Sequence, residues 1–470
     1  MLQHWSTVLA EHWGIEADLR RLDGEYDLNF RTTGRDGAGY VLKVMRAGCD
    51  RGLIDMQVAA LAHVANVAPD LPMPRVIPTQ SGDLLVEAAD EAGEARLVWL
   101  QEALPGICYA EFHPHEPALI EELGRAAGGL AAALKGFDHP GLARAFKWDL
   151  MQADWITSEL GAIADPKRRA LLEDVCAEFE VTKTRVAAMP RQAVHNDLND
   201  YNILVTGNGA AGDVSGLIDL GDMCAAPRIC DLAICAAYVV LDHADPEAAL
   251  AALVAGYHKV NPLSGAEIDV LYPLLRMRLA MSVVNSTLMA QDSPDDPYVT
   301  ISQAPAWRFL EGAALDAELL RCRLRAACGL PLDDASARIA AWIDSARGSF
   351  APVIGVPLDA APMGSLSVEA VATPRNPFDM THAEAAALGS DRFGPDDIWL
   401  GYYREPRLVY TAPAFRKGPW KSSNRRTVHM GVDVFAPAGT PVSAPLAATV
   451  AFTENRTGSL DYGGMVILKH

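Results

Sequence analysis

Two short islands set among long Ala- and Leu-rich stretches constrain this chain more than anything else in it: VHNDLNDYNILV (194–205) and SGLIDLGD (215–222). Each carries an apolar run of strand length beside a polar cluster, and Gly207 to Gly212 lie between them. That pattern predicts two short strands joined by a turn, with their polar ends side by side. The polar positions are His195-x-Asp197, then Asn202 five residues after the aspartate, then Asp219 at the end of the second strand. The glycines fit G-x-G-x-x-G, but a dinucleotide fingerprint must open a helix after a strand. Here the segment runs into VSGLIDL, so it reads as a hairpin turn.

The spacing has a chemical meaning. Phosphoryl transfer needs a carboxylate to take or orient the proton of an acceptor hydroxyl, and oxygen ligands for the magnesium that clamps nucleotide phosphates. Asp197 suits the base, and Asn202 and Asp219 suit the metal. H-x-D-x-x-x-x-N followed by an apolar strand ending in Asp is specific to protein-kinase-like enzymes. Lys43, in the strand-like YVLKVM, suits a partner of the nucleotide phosphates, with Asp55 in LIDMQ as its acidic partner and Glu25 as the alternative. A full glycine loop is absent, since only Gly24 stands in DGEYDLNF, and there is no A-P-E segment. Both absences favour a small-molecule acceptor over a protein.

The organisation agrees. Residues 1–105 read as short strands with one helix (Asp50 to Val67), a hairpin turning at Ser81-Gly82, and a hinge at Leu104-Pro105-Gly106. Residues 106–345 read as a helical lobe around the two strands, 346–404 as a Pro-bearing linker, and 405–470 as short β segments. The fold class is α+β: a bilobal arrangement with a β-rich first lobe and a helical second lobe, plus a partial all-β domain.

With those residues in view, residues 1 to about 345 resemble the aminoglycoside phosphotransferase / choline kinase / homoserine kinase superfamily, most of all its hydroxylysine-kinase branch. HNDLNDYN (195–202), LIDLGD (217–222), PRICDLA (227–233) and LVAGYHKVNPL (253–263) carry the likeness. The resemblance implies a protein-kinase-like fold, ATP and magnesium, with Asp197 as base and Asn202 and Asp219 on the metal. It places Asp231 where a residue buttresses the catalytic loop, with capping or holding a helix start as the favoured reading, and Trp148 and Asp149 where related kinases place acceptor-side residues, with core packing as the equal alternative for Trp148. His195 is expected to orient the loop. Arg276 and Arg278 are expected on a salt-bridged helix face, with the acceptor site as the alternative. The implied acceptor is a small hydroxylated amine such as hydroxylysine, ethanolamine or an aminopropanol. Antibiotic modification and a pseudokinase-like binding module are the other readings.

Near the end, His429 and Asp433 have the H-x-x-x-D spacing that presents an imidazole and a carboxylate to one zinc ion. The surrounding GVDVFAPAGTPVSAP makes residues 405–470 resemble the lysostaphin/LytM-like zinc peptidases. In that family a later H-x-H supplies the third ligand, and none is present here, so the zinc site is incomplete. Ala448 also replaces a usual turn glycine. The chain is therefore expected to be part of a longer protein. Related kinase-like domains are found fused to such a module and then to a pyridoxal-phosphate aminotransferase-like domain, which suggests a downstream partner domain. A cell-wall zinc hydrolase with a kinase-like accessory domain is the competing reading.

Composition closes off other classes. Forty Lys+Arg against 60 Asp+Glu give a net charge of −20, which argues against a nucleic-acid-coating surface. No apolar stretch reaches the ~18 residues of a membrane span, and the N-terminus shows no secretory pattern. The eight scattered cysteines read as free thiols in a reducing cytoplasm.

Overall fold

The computed structural model describes residues 1–22, 27–209, 211–292, 302–312, 315–365, 393–394, 396–407, 410, 428–458 and 461–470. It divides into two units, Met1–Ala337 and Arg338–His470.

The first unit opens with a helix not expected from the sequence, α1 (Leu2–Trp13), which buries Trp5, Val8, Leu9 and Trp13 as one stripe. Gly14 ends it at φ 70°, the left-handed conformation that glycine adopts freely. Strands β1 (Arg20–Leu22), β2 (Leu28–Thr33) and β3 (Gly39–Val44) follow as expected. Helix α2 (Arg51–Val67) is capped by Asp50, whose carboxylate accepts from Gly52 N at 2.8 Å. Then come β4 (Val76–Ile77), β5 (Val86–Ala89) and β6 (Ala95–Glu102). The sheet order is β1-β2-β3-β6-β4, with β5 also on β6.

The hairpin expected at Ser81-Gly82 is corrected here. A turn does form, with Gly82 N donating to Thr79 O at 2.9 Å. It returns the chain to the same neighbour, however: β4 and β5 each pair with β6, not with each other.

Strand alternation positions the first functional side chain. Leu42 and Val44 pack with Phe30, Val98 and Leu100 beneath α1. Lys43, between them, faces the opposite side of the sheet. It stands across from Trp99 on β6, with its ammonium 5.4 Å from the ring centroid.

The second lobe begins with β7 (Ile107–Cys108) and is mostly helical: α3 (Pro117–Ala133), α4 (Trp155–Glu159) and α5 (Pro166–Ala187). The island between helices holds four strands rather than two: β8 (Arg191–Val194), β9 (Ile203–Asn208), β10 (Ala211–Leu217) and β11 (Cys224–Pro227). Strands β9 and β10 form the expected hairpin, and β8 pairs with β11 to close the loops around it. The remaining helices of the lobe are α6 (Arg228–Val239), α7 (Pro246–Val260), α8 (Gly265–Asp292), α9 (Gln303–Glu311) and α10 (Ala317–Ala327), and α11 (Asp334–Ala346) runs across the boundary into the second unit. Every residue of α6 from Ile229 to Val239 is buried, which makes it the central rod of the lobe. The hinge is pinned rather than loose, because Ser215 Oγ donates to Pro105 O at 2.7 Å.

Helices α3 and α7 cross with almost no gap. A Cβ at Gly256 would lie 2.0 Å from Glu121 O, and one at Gly124 would lie 2.1 Å from Leu253 O. These contacts are backbone, so nothing flexible can give way. Gly256→Ala is expected to destabilise the first unit by about 2 kcal/mol or more, seen as a lower midpoint in denaturant unfolding with activity per folded molecule retained.

The second unit, described by itself, contains β12 (Met363–Gly364), β13 (Trp399–Gly401), β14 (Glu405–Pro406), β15 (Val428–His429), β16 (Val434–Phe435), β17 (Thr449–Arg456) and β18 (Gly463–Lys469). Strands β12, β13 and β16 make one sheet, where Trp399 stacks on Phe435 at 3.8 Å. Ile354 bridges to Val442. Within the stretch expected as a linker, Met363–Gly364 and Trp399–Gly401 form strands of this unit. Among the described residues, no helix is long and apolar enough to cross a membrane, and all eight cysteines are free.

Candidate active site

The loop after β8 is held from below by one carboxylate. Asp231, on the first turn of α6 and 1% exposed, accepts from His195 N at 3.1 Å and from Asn196 N at 2.7 Å. The carboxylate thus buttresses the loop, whereas capping or holding the helix start was the favoured expectation. His195 fixes the loop from the other side. Its Nδ1 accepts from Asp197 N at 3.2 Å, and its Nε2 meets the Ile218 carbonyl at 3.0 Å. Both ring nitrogens are occupied, so His195 orients and does not shuttle protons. Asn196 takes φ 65° at the bend, a conformation asparagine tolerates better than most residues. Asp231→Ala would strand two buried N–H groups that now bond to a carboxylate. A loss of about 3 kcal/mol or more in unfolding free energy is expected.

Asp197 lies where β8 leads into the loop. Its Oδ1 accepts from Arg278 Nη2 at 2.7 Å, and its Oδ2 from Asn199 Nδ2 at 2.9 Å and Asn202 Nδ2 at 2.8 Å. Burial pushes its carboxyl up to about 7; Arg278 opposes the shift, and the charges of Asp222 and Asp219 add to it. Burial likewise raises Asp222.

The two expected metal ligands sit at the ends of paired strands. Ile218 N donates to Asn202 O at 2.9 Å, so Asp219 follows directly beside Asn202. Asp219 adopts φ 66°, and its Oδ1 accepts from Gly221 N at 3.0 Å. Its Oδ2 stands 3.5 Å from Lys43 Nζ. Lys43 is the main reason its carboxyl is held below the usual range, against the effect of burial. Both side-chain hydrogen bonds of Asn202 are donated by Nδ2. Among the described residues none is made to its Oδ1, which keeps the lone pairs a hard cation requires. An ionised carboxylate beside an amide oxygen fits magnesium.

Asp55 is a correction. It is exposed on the outer face of α2, and its one ion pair is with Arg51 on the same helix at 3.7 Å. Ile54, Met56, Gln57 and Val58 take the inward positions, so Asp55 points away from the cleft. Lys43 pairs with Asp219 instead. Glu25 and Gly24 lie outside the described residues.

Arg276 bonds to Glu178, the salt bridge expected for that helix. Arg278 departs from that expectation, being 2% exposed and bonded to Asp197. Trp148 supplies a carbonyl to Asn196 Nδ2 at 3.2 Å and lies under the Arg278 guanidinium, 4.7 Å from ring centroid to carbon. Asp149 is buried and structural, accepting from Met151 N at 2.9 Å. Asn199 was missed as a separate contributor. Its Oδ1 folds the loop by accepting from Tyr201 N and Asn202 N at 2.8 and 3.0 Å.

In the second unit, His429 Nδ1 and Asp433 Oδ2 are 3.5 Å apart. Asp433 also bonds to Arg407, a buried guanidinium that Glu405 holds at 2.9 Å. Among the described residues no group of three or more His, Cys, Asp or Glu comes together to hold a metal. Two donors, one already engaged by an arginine, do not make a zinc site by themselves.

The comparisons with known proteins bear on the first unit. The model of the phosphotransferase enzyme family matches residues 18–270, more than half of the chain. The chain belongs to this family. Hydroxylysine kinase of Mus musculus is 29% identical over 330 residues, covering 65% of this chain and 87% of that protein. Homoserine kinase of Gluconobacter oxydans is 27% identical over 251 residues, covering 52% and 73%. The solved structure of a microcompartment-associated aminopropanol kinase shares the fold at 18% identity and TM-score 0.50, covering 72% of this chain and 98% of that one. As a phosphotransferase of this family, the chain is a small-molecule kinase, and the family's chemistry calls for a nucleoside triphosphate and a divalent cation.

Proposed function

We propose that this phosphotransferase transfers the γ-phosphoryl group of ATP to the hydroxyl of an amino alcohol of the hydroxylysine, ethanolamine or aminopropanol kind. The observation that carries the reading is the convergence of Asp197, in the loop after β8, and Lys43, on β3, with Asn202 and Asp219 at the ends of the paired strands β9 and β10. The hydroxylysine kinase relatives support the acceptor class. Asn202 and Asp219 would hold magnesium, which when bound neutralises phosphate charge. Lys43, nearly buried and facing the cleft, would meet the phosphates. Asp197 orients the acceptor hydroxyl and takes its proton. The decisive experiment is a screen of hydroxylated amines for acceptor-dependent ADP release with magnesium present. Release with amino alcohols supports the proposal. Release only with aminoglycosides would move the acceptor to antibiotics, and release with none would remove the enzyme assignment.

The raised carboxyl of Asp197 sets the expected pH dependence. Only the ionised form can accept a proton, and a raised pKa keeps the group protonated to higher pH. The kcat/KM profile is therefore expected to fall as pH drops through about 7, and to be flat there in a variant whose residual activity does not use Asp197.

The finer readings of the rest of the chain stay with this proposal and rest on the sequence resemblance. They are a lysostaphin-like second unit without a complete zinc site and a downstream pyridoxal-phosphate domain; residence in the cytoplasm is proposed from the scattered cysteines read as free thiols.

A further inference from the structure

One side chain reaches the proposed base from outside every motif. Arg278 comes from the middle of α8, 81 residues away from Asp197. It is 2% exposed, and its guanidinium carbon lies 4.7 Å from the Trp148 ring and 5.6 Å from the Tyr238 ring. Its Nη2 bonds to Asp197 Oδ1, and the Tyr238 hydroxyl on α6 is its second polar neighbour.

The hydrogen bonds at Asp197 show what that contact does. A carboxylate has about four lone-pair sites, two on each oxygen. Oδ2 already accepts two N–H bonds, from Asn199 and Asn202. Oδ1 accepts one, from Arg278, and so retains one lone pair. Asp219 and Asp222 are negative neighbours of Asp197, and the Arg278 guanidinium is its positive one.

We propose that Arg278 is a positioning residue that fixes the Asp197 carboxylate so that the remaining lone pair of Oδ1 receives the acceptor hydroxyl. The inference rests on the phosphoryl-transfer reading above. In the step, the acceptor O–H bond breaks and its proton passes to Asp197 Oδ1. The oxygen's electron pair forms the new O–P bond, and the bond from the γ-phosphorus to the bridging oxygen breaks, with its electrons leaving on ADP. Arg278 touches none of the reacting atoms. It acts through the orientation of Asp197, and misorientation on this scale costs about 10²-fold in rate.

The test is Arg278→Ala in the full chain, assayed with magnesium, ATP and the acceptor that the wild type uses best. The expected result is a kcat about 10²-fold lower with the KM for ATP changed by no more than about threefold, and partial recovery on adding guanidinium or methylguanidinium chloride. Unchanged kcat in the folded variant, or a loss that guanidinium does not restore, overturns the proposal. Should the alanine variant not fold, Arg278→Lys is read in its place. It keeps the charge but not the planar stacking, and is expected to lose at least about tenfold in kcat; full activity overturns the proposal. A crystal structure of the folded variant reads the same claim without turnover: a rotated Asp197 carboxyl supports it, and an unmoved one overturns it. A wild type inactive on every acceptor would defeat the functional reading, whereas an active wild type with an equally active variant defeats this inference alone.

Discussion

Asp197→Asn is expected to purify as a folded protein, to bind nucleotide like the wild type, and to transfer phosphoryl groups about 10³-fold more slowly. The substitution keeps the size and most of the hydrogen bonds. With its amide oxygen in the Oδ2 place the side chain still accepts from Asn199 and Asn202 and loses only the bond from Arg278, and the loop remains held by Asp231 and His195. What is lost is a charged acceptor for the hydroxyl proton. Because the substitution leaves Asn202 and Asp219, the proposed magnesium ligands, in place, the KM for ATP should hardly move. Calorimetric titration with an ATP analogue, beside steady-state ADP release, separates the two effects. Undiminished turnover would remove Asp197 from the role of base.

The second large effect is expected at Asp219. Lys43 beside it holds its carboxyl below the usual range, and it abuts Asn202 across the β9–β10 ladder. Asp219→Asn removes the negative charge that would bind magnesium and leaves the buried ammonium of Lys43 without its ion pair. Loss of groups that merely orient metal ligands costs 10–100-fold in metal affinity, and a direct ligand should cost no less. The magnesium concentration for half-maximal rate is therefore expected to rise by about 10²-fold or more, with kcat falling as well. In the wild type, a chelator should abolish turnover and added magnesium should restore it. Activity that survives chelation would separate this site from any metal.

How much of this was legible in the sequence depended on distance along the chain. The catalytic loop and the hairpin carry their geometry in short-range spacing, so Asp197, Asn202 and Asp219 were readable as a group. Lys43 was readable because strand alternation between Leu42 and Val44 fixes its side. Asp55 failed for a helical reason: its one-residue offset from Ile54 and Met56 puts it on the solvent face, and no local signal says which acid a distant lysine will choose. Arg278 was legible only as an acceptor-site alternative, because its contact with Asp197 depends on where α8 crosses the loop, a matter of tertiary packing. Helix α1 was missed because its two tryptophans and short length give a weak helical signal. The hairpin at Ser81-Gly82 was misread because a turn residue marks a reversal without saying which strand the chain meets next.

The most direct test of the central claim is Mn(II) electron paramagnetic resonance in the presence of a non-hydrolysable ATP analogue. The wild type should show a nucleotide-dependent bound-manganese signal that is lost or weakened at least about tenfold in both Asn202→Ala and Asp219→Asn. Equal manganese binding by all three proteins would contradict the account, because those two side chains would then not share the nucleotide's metal.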